Sequence, residues 1–94
     1  MGGSYGGYMS AIMASRYSDL FKASIILNPV TNIPFMMNIT DIPEWSTSCA
    51  LNKEYSWDLN GDDYKEMFDK SPMKESIKIP SLLLIGAKDR RCPY

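Results

Sequence analysis

The sequence predicts an α/β fold, a mostly parallel sheet with helices on both faces. Three observations lead there. Gly2, Ser4 and Gly6 form G-x-S-x-G, a spacing that fits a sharp strand-to-helix turn. Two continuous apolar runs, Ser24 to Asn28 and Ile79 to Gly86, read as strands buried on both faces. Helix-period stretches lie between them, the alternation that accompanies parallel strands.

In chain order, the glycine turn comes first. Glycines at 2 and 6 leave room for the strand and helix to pass close to the serine. The strand that feeds the turn is expected before Met1. Tyr5 to about Tyr17 reads as a helix, with Ala11 and Ala14 as helix formers. Tyr8, Ala11, Ile12 and Ser15 give it a face small enough to lie on a sheet. Ser18-Asp19 break it, after Arg16 near its C-terminal end. The strand Ser24 to Asn28 ends at Pro29.

Residues 30–60 carry no clear period, yet Phe35, Met36, Met37, Ile42, Trp45, Tyr55 and Trp57 make them too apolar for a solvated linker. Short helices are expected at Phe35 to Asn38 and Ile42 to Ser48. Irregular core packing explains this stretch as well as a functional surface does, whether the wall of a substrate pocket or a docking face. Asp62 to Asp69 reads as a helix capped by Asp62, with Tyr64, Met67 and Phe68 on one face. Ser71-Pro72 stops it. The last strand, Ile79 to Gly86, leads into a loop carrying Asp89, Arg90 and Arg91.

Composition narrows the function. Ninety-four residues hold one small domain at most. A net charge of −1, from ten basic and eleven acidic residues, leaves no footprint for nucleic acid or an anionic membrane. The apolar runs are too short to span a bilayer. No secretory signal is visible. Cys49 and Cys92 read as free thiols of a cytoplasmic protein. No phosphate loop, dinucleotide fingerprint or zinc set is present, so neither cofactor nor metal is expected.

The chemistry centres on Ser4. G-x-S-x-G arises by chance about 0.03 times in a chain this short, so the motif is informative, although a plain Gly-rich turn uses the same residues. On a strained turn the Ser4 hydroxyl stands clear of the sheet. The Tyr5 backbone N–H, opening the helix, points where an oxyanion would develop. Asp89 follows a buried strand at its C-terminal edge, where function gathers in open α/β sheets. Taken alone, Asp89 beside two arginines also fits a surface charge cluster. Together, Ser4 then Asp89 follow the order of the α/β-hydrolase triad. The third member is histidine, and the chain has none. A serine hydroxyl without a base is a weak nucleophile.

Beyond these local signals, Met1-Gly2-Gly3-Ser4-Tyr5-Gly6-Gly7-Tyr8 resembles the elbow of the prolyl oligopeptidase family of serine peptidases. Asn28-Pro29-Val30-Thr31-Asn32-Ile33, Thr40-Asp41-Ile42-Pro43-Glu44-Trp45, Asp69-Lys70-Ser71-Pro72 and Gly86-Ala87-Lys88-Asp89-Arg90-Arg91-Cys92-Pro93 are similar to members that act on N-acylated peptides. The resemblance implies Ser4 as nucleophile, Asp89 as triad acid and Tyr5 as donor of an oxyanion-hole N–H. Some of those members carry histidine at the position of Tyr5, and bacterial relatives often carry tyrosine. Arg90 and Arg91 follow the acid as in the family and have no assigned role.

By the same resemblance, residues 1–94 correspond to the central part of a C-terminal α/β-hydrolase domain. That domain is incomplete here, and no propeller domain is present. The expected partner of the full-length form is an N-acylated peptide substrate, and that form can be homo-oligomeric. The triad histidine is expected after Tyr94, so the chain alone is expected to be inactive. The alternatives are an esterase or a dipeptidyl or prolyl peptidase on the same elbow, and a catalytically dead hydrolase-like interaction module.

Overall fold

The computed structural model describes residues 1–93. Three strands form one sheet: β1 (Gly2–Gly3), β2 (Ser24–Leu27) and β3 (Ser81–Leu84). All pairs are parallel, and the spatial order is β1-β2-β3. Gly2 faces Ile26, Gly3 faces Leu27, and Ser24 to Leu27 face Ser81 to Leu84 in register. Both strands read from the sequence are present, each shorter than its apolar run.

The connection from β1 to β2 is α1 (Tyr5–Arg16), which buries Gly7, Ala11, Ile12, Ala14 and Ser15. Small side chains bring the helix close to the sheet. The Ser15 hydroxyl donates to the Ile12 carbonyl at 2.9 Å, so its burial leaves no polar atom unpaired. Arg16 closes the last turn and pairs with Glu75, two guanidinium nitrogens converging on one carboxylate oxygen at 2.9 and 2.7 Å.

Between β2 and β3 lie α2 (Ile33–Met37), α3 (Glu44–Leu51), α4 (Gly61–Asp69) and a 3-10 turn, Pro72–Lys74. Residues 30–60 thus contain helices close to those expected. They enclose a core of Val30, Ile33, Met36, Met37, Ala50, Leu51, Met67 and Cys92. Val30 and Met36 of this stretch belong to that core and also line a cavity.

The cap of α4 differs from the expectation. Asn60, rather than Asp62, accepts the Asp63 N–H, and the Asp63 carboxylate accepts the Asn60 N–H in return. This reciprocal box pairs two donors where a lone Asp62 cap would pair one. The buried Ser71 hydroxyl donates to the Met67 carbonyl at 2.8 Å and accepts the Ile33 N–H at 2.9 Å, joining α4 to α2.

Coverage of the sheet also differs. Ile26 is 3% exposed, but its neighbours Ile25 and Leu27 are 38% and 45% exposed. Leu82, Leu83 and Leu84 of β3 are all exposed. Among the described residues, α1 is the helix packed on the strands, while α2, α3 and α4 pack on one another. The expectation of helices over both faces of both strands is therefore not met within residues 1–93.

Candidate active site

At the C-terminal end of β1 the chain turns sharply into α1. Ser4 occupies the turn with φ 55° and ψ −120°, away from every region a residue with a side chain readily adopts. Such strain costs about 1–3 kcal/mol and persists only where its surroundings hold it. Two backbone bonds do so. The Ser4 N–H donates to the Leu27 carbonyl at 3.0 Å, extending the sheet ladder by one residue. The Ser4 carbonyl accepts the Tyr8 N–H, also at 3.0 Å, and starts the helix.

The glycines explain how the turn closes. A Cβ on Gly2 would lie 2.2 Å from the Gly6 carbonyl oxygen. A Cβ on Gly7 would lie 2.8 Å from the Leu27 carbonyl oxygen. A Cβ on Gly6 would meet nothing within 4 Å, so the crowded positions are Gly2 and Gly7 rather than Gly2 and Gly6. None of the glycines has positive φ, so the requirement is for space and not for backbone freedom.

The Tyr5 N–H opens α1, where first-turn amides have no intrahelical acceptor. Its ring stacks on Tyr8 at 5.4 Å and meets Trp45 edge-on at 6.1 Å. Trp45 comes from α3, so the helices between β2 and β3 reach the elbow. Ser4, Tyr5, Val30, Met36, Ile42, Trp45, Arg91 and Cys92 line a cavity of about 140 Å³. A larger hollow of about 500 Å³ lies beside β3 and includes Leu83, Ile85, Phe35 and Met73. Ser4 is not in its lining, so the smaller cavity is the one with a candidate reacting group.

Asp89 lies in the loop after β3, and β2 separates that strand from β1. At about 4.8 Å per strand the two strand ends are roughly 10 Å apart. Ser4 and Asp89 therefore share the rim of the sheet without touching. The Asp89 carboxylate is held by three donors. Its Oδ1 accepts the N–H groups of Arg91 at 2.8 Å and Cys92 at 3.0 Å. Its Oδ2 accepts the Asn28 side-chain amide at 2.5 Å. The Cys92 N–H is the main cause holding this carboxyl below the usual carboxylate range. Burial opposes it less strongly than the Cys92 N–H acts, and the Arg91 N–H and the Asn28 amide then add to the lowering. An anionic acceptor on the rim suits the orienting of a cationic or N–H-bearing group.

Two residues of this rim were not singled out from the sequence. Asn28 follows β2 directly and has φ 39°. Asparagine is among the residues that tolerate this conformation, and its place after a strand was the available signal. Cys92 is buried, and its Sγ lies 3.7 Å from Ser4 Oγ, tying the acid loop to the elbow. Burial pushes its thiol up, so it stands there as a neutral group. Arg91, unassigned from sequence, pairs with Asp41 at 2.7 and 3.1 Å. The guanidinium holds the Asp41 carboxyl below its ordinary range. The Thr40 hydroxyl also donates to the Arg91 carbonyl at 2.7 Å, so the segment before α3 is bound to the acid loop.

Known proteins are similar to this chain in sequence and in fold. Residues 1–94 match the Prolyl oligopeptidase family in full. The acylamino-acid-releasing enzyme of Mus musculus is 43% identical over 99 residues, a match covering 100% of this chain and 13% of the mouse protein. The acylamino-acid-releasing enzyme of Arabidopsis thaliana is 34% identical over 97 residues, covering 99% of this chain and 13% of the plant protein. The structure of Pyrococcus horikoshii acylaminoacyl peptidase superposes with a TM-score of 0.73 at 32% identity, covering 98% of this chain and 14% of that one. The chain thus spans about 13% of the length of the curated relatives it matches.

Proposed function

The chain belongs to the prolyl oligopeptidase family, and from that premise we propose that the full-length protein is a serine peptidase releasing N-acylated amino acids from blocked peptides. Residues 1–94 are the central part of its catalytic domain. The observation that carries the proposal is the backbone of Ser4. A strained serine, fixed between strand ladder and helix start, is what a nucleophile elbow requires.

In this reading the Ser4 Oγ attacks the carbonyl joining the acylated residue to the rest of the peptide. An imidazole from outside residues 1–94 takes the hydroxyl proton and later delivers it to the leaving amine. Asp89 keeps that imidazole in the required tautomer and offsets the charge it gains. The Tyr5 N–H is one donor to the oxyanion, and the helix start favours negative charge there. Water then cleaves the acyl-enzyme and restores Ser4. The cavity beside Ser4 receives an apolar part of the substrate, bounded by Val30, Met36, Ile42 and Trp45.

The test compares two substrates on the full-length protein: an N-acetylated peptide and the same peptide with a free N-terminus. The blocked peptide is expected to be cleaved after its first residue, and Ser4→Ala is expected to lower kcat by at least about 10⁴-fold. Preferential cleavage of the free peptide would favour a dipeptidyl or prolyl peptidase. No cleavage of either peptide or of an ester would leave a non-catalytic module. The chain 1–94 alone is expected to be inactive, because it contains no histidine.

A further inference from the structure

We infer that Asn28 is a positioning residue for the Asp89 carboxylate, selecting the acceptor site that Asp89 presents to its catalytic partner. The inference rests on reading Asp89 as the triad acid. It starts from a count of acceptor sites. A carboxylate offers about four lone-pair positions, two on each oxygen. Asp89 Oδ1 already accepts the Arg91 and Cys92 N–H groups and is filled. Asp89 Oδ2 accepts the Asn28 amide and has one position open. An imidazole N–H arriving at this carboxylate is thereby directed to Oδ2, beside Asn28.

Asn28 is itself held so that it cannot swing away. Its Oδ1 accepts the Gly86 N–H at 2.6 Å, and its own N–H donates to the Leu84 carbonyl at 2.8 Å. One side chain therefore joins the end of β3 to the acid three residues beyond Gly86. Only one amide orientation serves both contacts, since Nδ2 must face the carboxylate and Oδ1 the N–H. A Cβ on Gly86 would lie 3.1 Å from Asn28 Nδ2, so the backbone at Gly86 runs against the amide. Aspartate at this position could still accept the Gly86 N–H. It would place a second carboxylate at hydrogen-bond distance from the first, and two such groups do not both ionise readily.

The experiment measures kcat and KM of the full-length protein for an N-acetylated peptide, for Asn28→Asp, Asn28→Gly and Asp89→Asn. Rates are expressed per site counted by end-point phosphonate titration, so that loss of folded protein does not enter. Glycine accepts the positive φ and removes only the side chain. Asn28→Gly is expected to lose about 10- to 100-fold in kcat, the scale of one hydrogen bond to a charged group, with KM within about twofold. Asn28→Asp is expected to lose more than Asn28→Gly. Unchanged kcat per titrated site in both Asn28 variants, with Asp89→Asn severely impaired, would overturn the role of Asn28 and leave the triad reading intact. Full activity of Asp89→Asn would overturn the triad reading and this inference with it.

Discussion

The rim and the body of the sheet are built differently. At the rim, the ends of β1, β2 and β3 are tied to one another by short backbone and side-chain bonds. Ser4 is bound to Leu27, Asn28 to Leu84, and the Asn28 amide to Gly86 and Asp89. Below the rim, Ile25 and Leu27 of β2 share one face with Leu82 and Leu84 of β3, and all four are exposed. The groups proposed to do chemistry are thus held by local geometry, whereas among the described residues β2 has one face without helix cover and β3 has both. A strained serine and an acid held by three donors persist because each is over-determined nearby. Burial of a parallel sheet depends on elements distant in sequence.

The largest expected effect breaks the rim. Gly2→Val places a side chain against the Gly6 carbonyl, where even a Cβ comes within 2.2 Å. The elbow cannot keep its geometry, and activity of the full-length protein is expected to fall at least about 100-fold. Gly6→Ala is the matched control. It meets nothing within 4 Å and replaces a helical glycine, so stability is expected to hold or rise, by up to about 1 kcal/mol. Equal effects of the two substitutions on activity would show that crowding is not what shapes the turn.

A smaller effect tests the body. Leu84→Lys adds a charge to the bare face. In the isolated chain 1–94 it is expected to reduce binding of a hydrophobic dye without lowering the melting temperature, because Leu84 is 43% exposed there. In the full-length protein it is expected to cost about 2–3 kcal/mol, the scale of one buried leucine, read as a shift in denaturant midpoint. A neutral result in the full-length protein would mean that this face stays open there as well.

The smallest effect concerns a surface charge cluster at the C-terminal end of α4. Asp69 is held at about 2 by hydrogen bonds from Lys65 and Lys74. Its folded pKa lies below its unfolded value of about 3.9. The stabilisation is therefore present above that value and is lost as pH falls toward 2. Both partners are exposed, so salt is expected to weaken the contribution. Acid unfolding of Asp69→Asn and the parent protein at low and high salt measures it.

The same division decides what was legible in the sequence. The elbow was readable because its glycines and serine act over seven consecutive residues. The strands and α1 were readable because apolar runs and small residues have characteristic periods. The cap at Asn60 was missed by two positions, since Asp62, Asp63 and Asn60 are all competent caps and only the fold selects one. Asn28 was passed over because its contacts, Gly86 and Asp89, lie about sixty residues away. Arg91 had no visible reason until Asp41 came beside it. The uncovered sheet face was equally invisible, since an apolar strand states what it needs and not whether the chain supplies it.

The central claim is that Ser4 is an activated nucleophile on a strained turn. Treating the full-length protein with a fluorophosphonate probe and mapping the adduct by mass spectrometry tests it directly. The expected result is one adduct, on Ser4, absent in Ser4→Ala and formed far more slowly in Asp89→Asn. An adduct on a different serine, or none on folded protein, would contradict it.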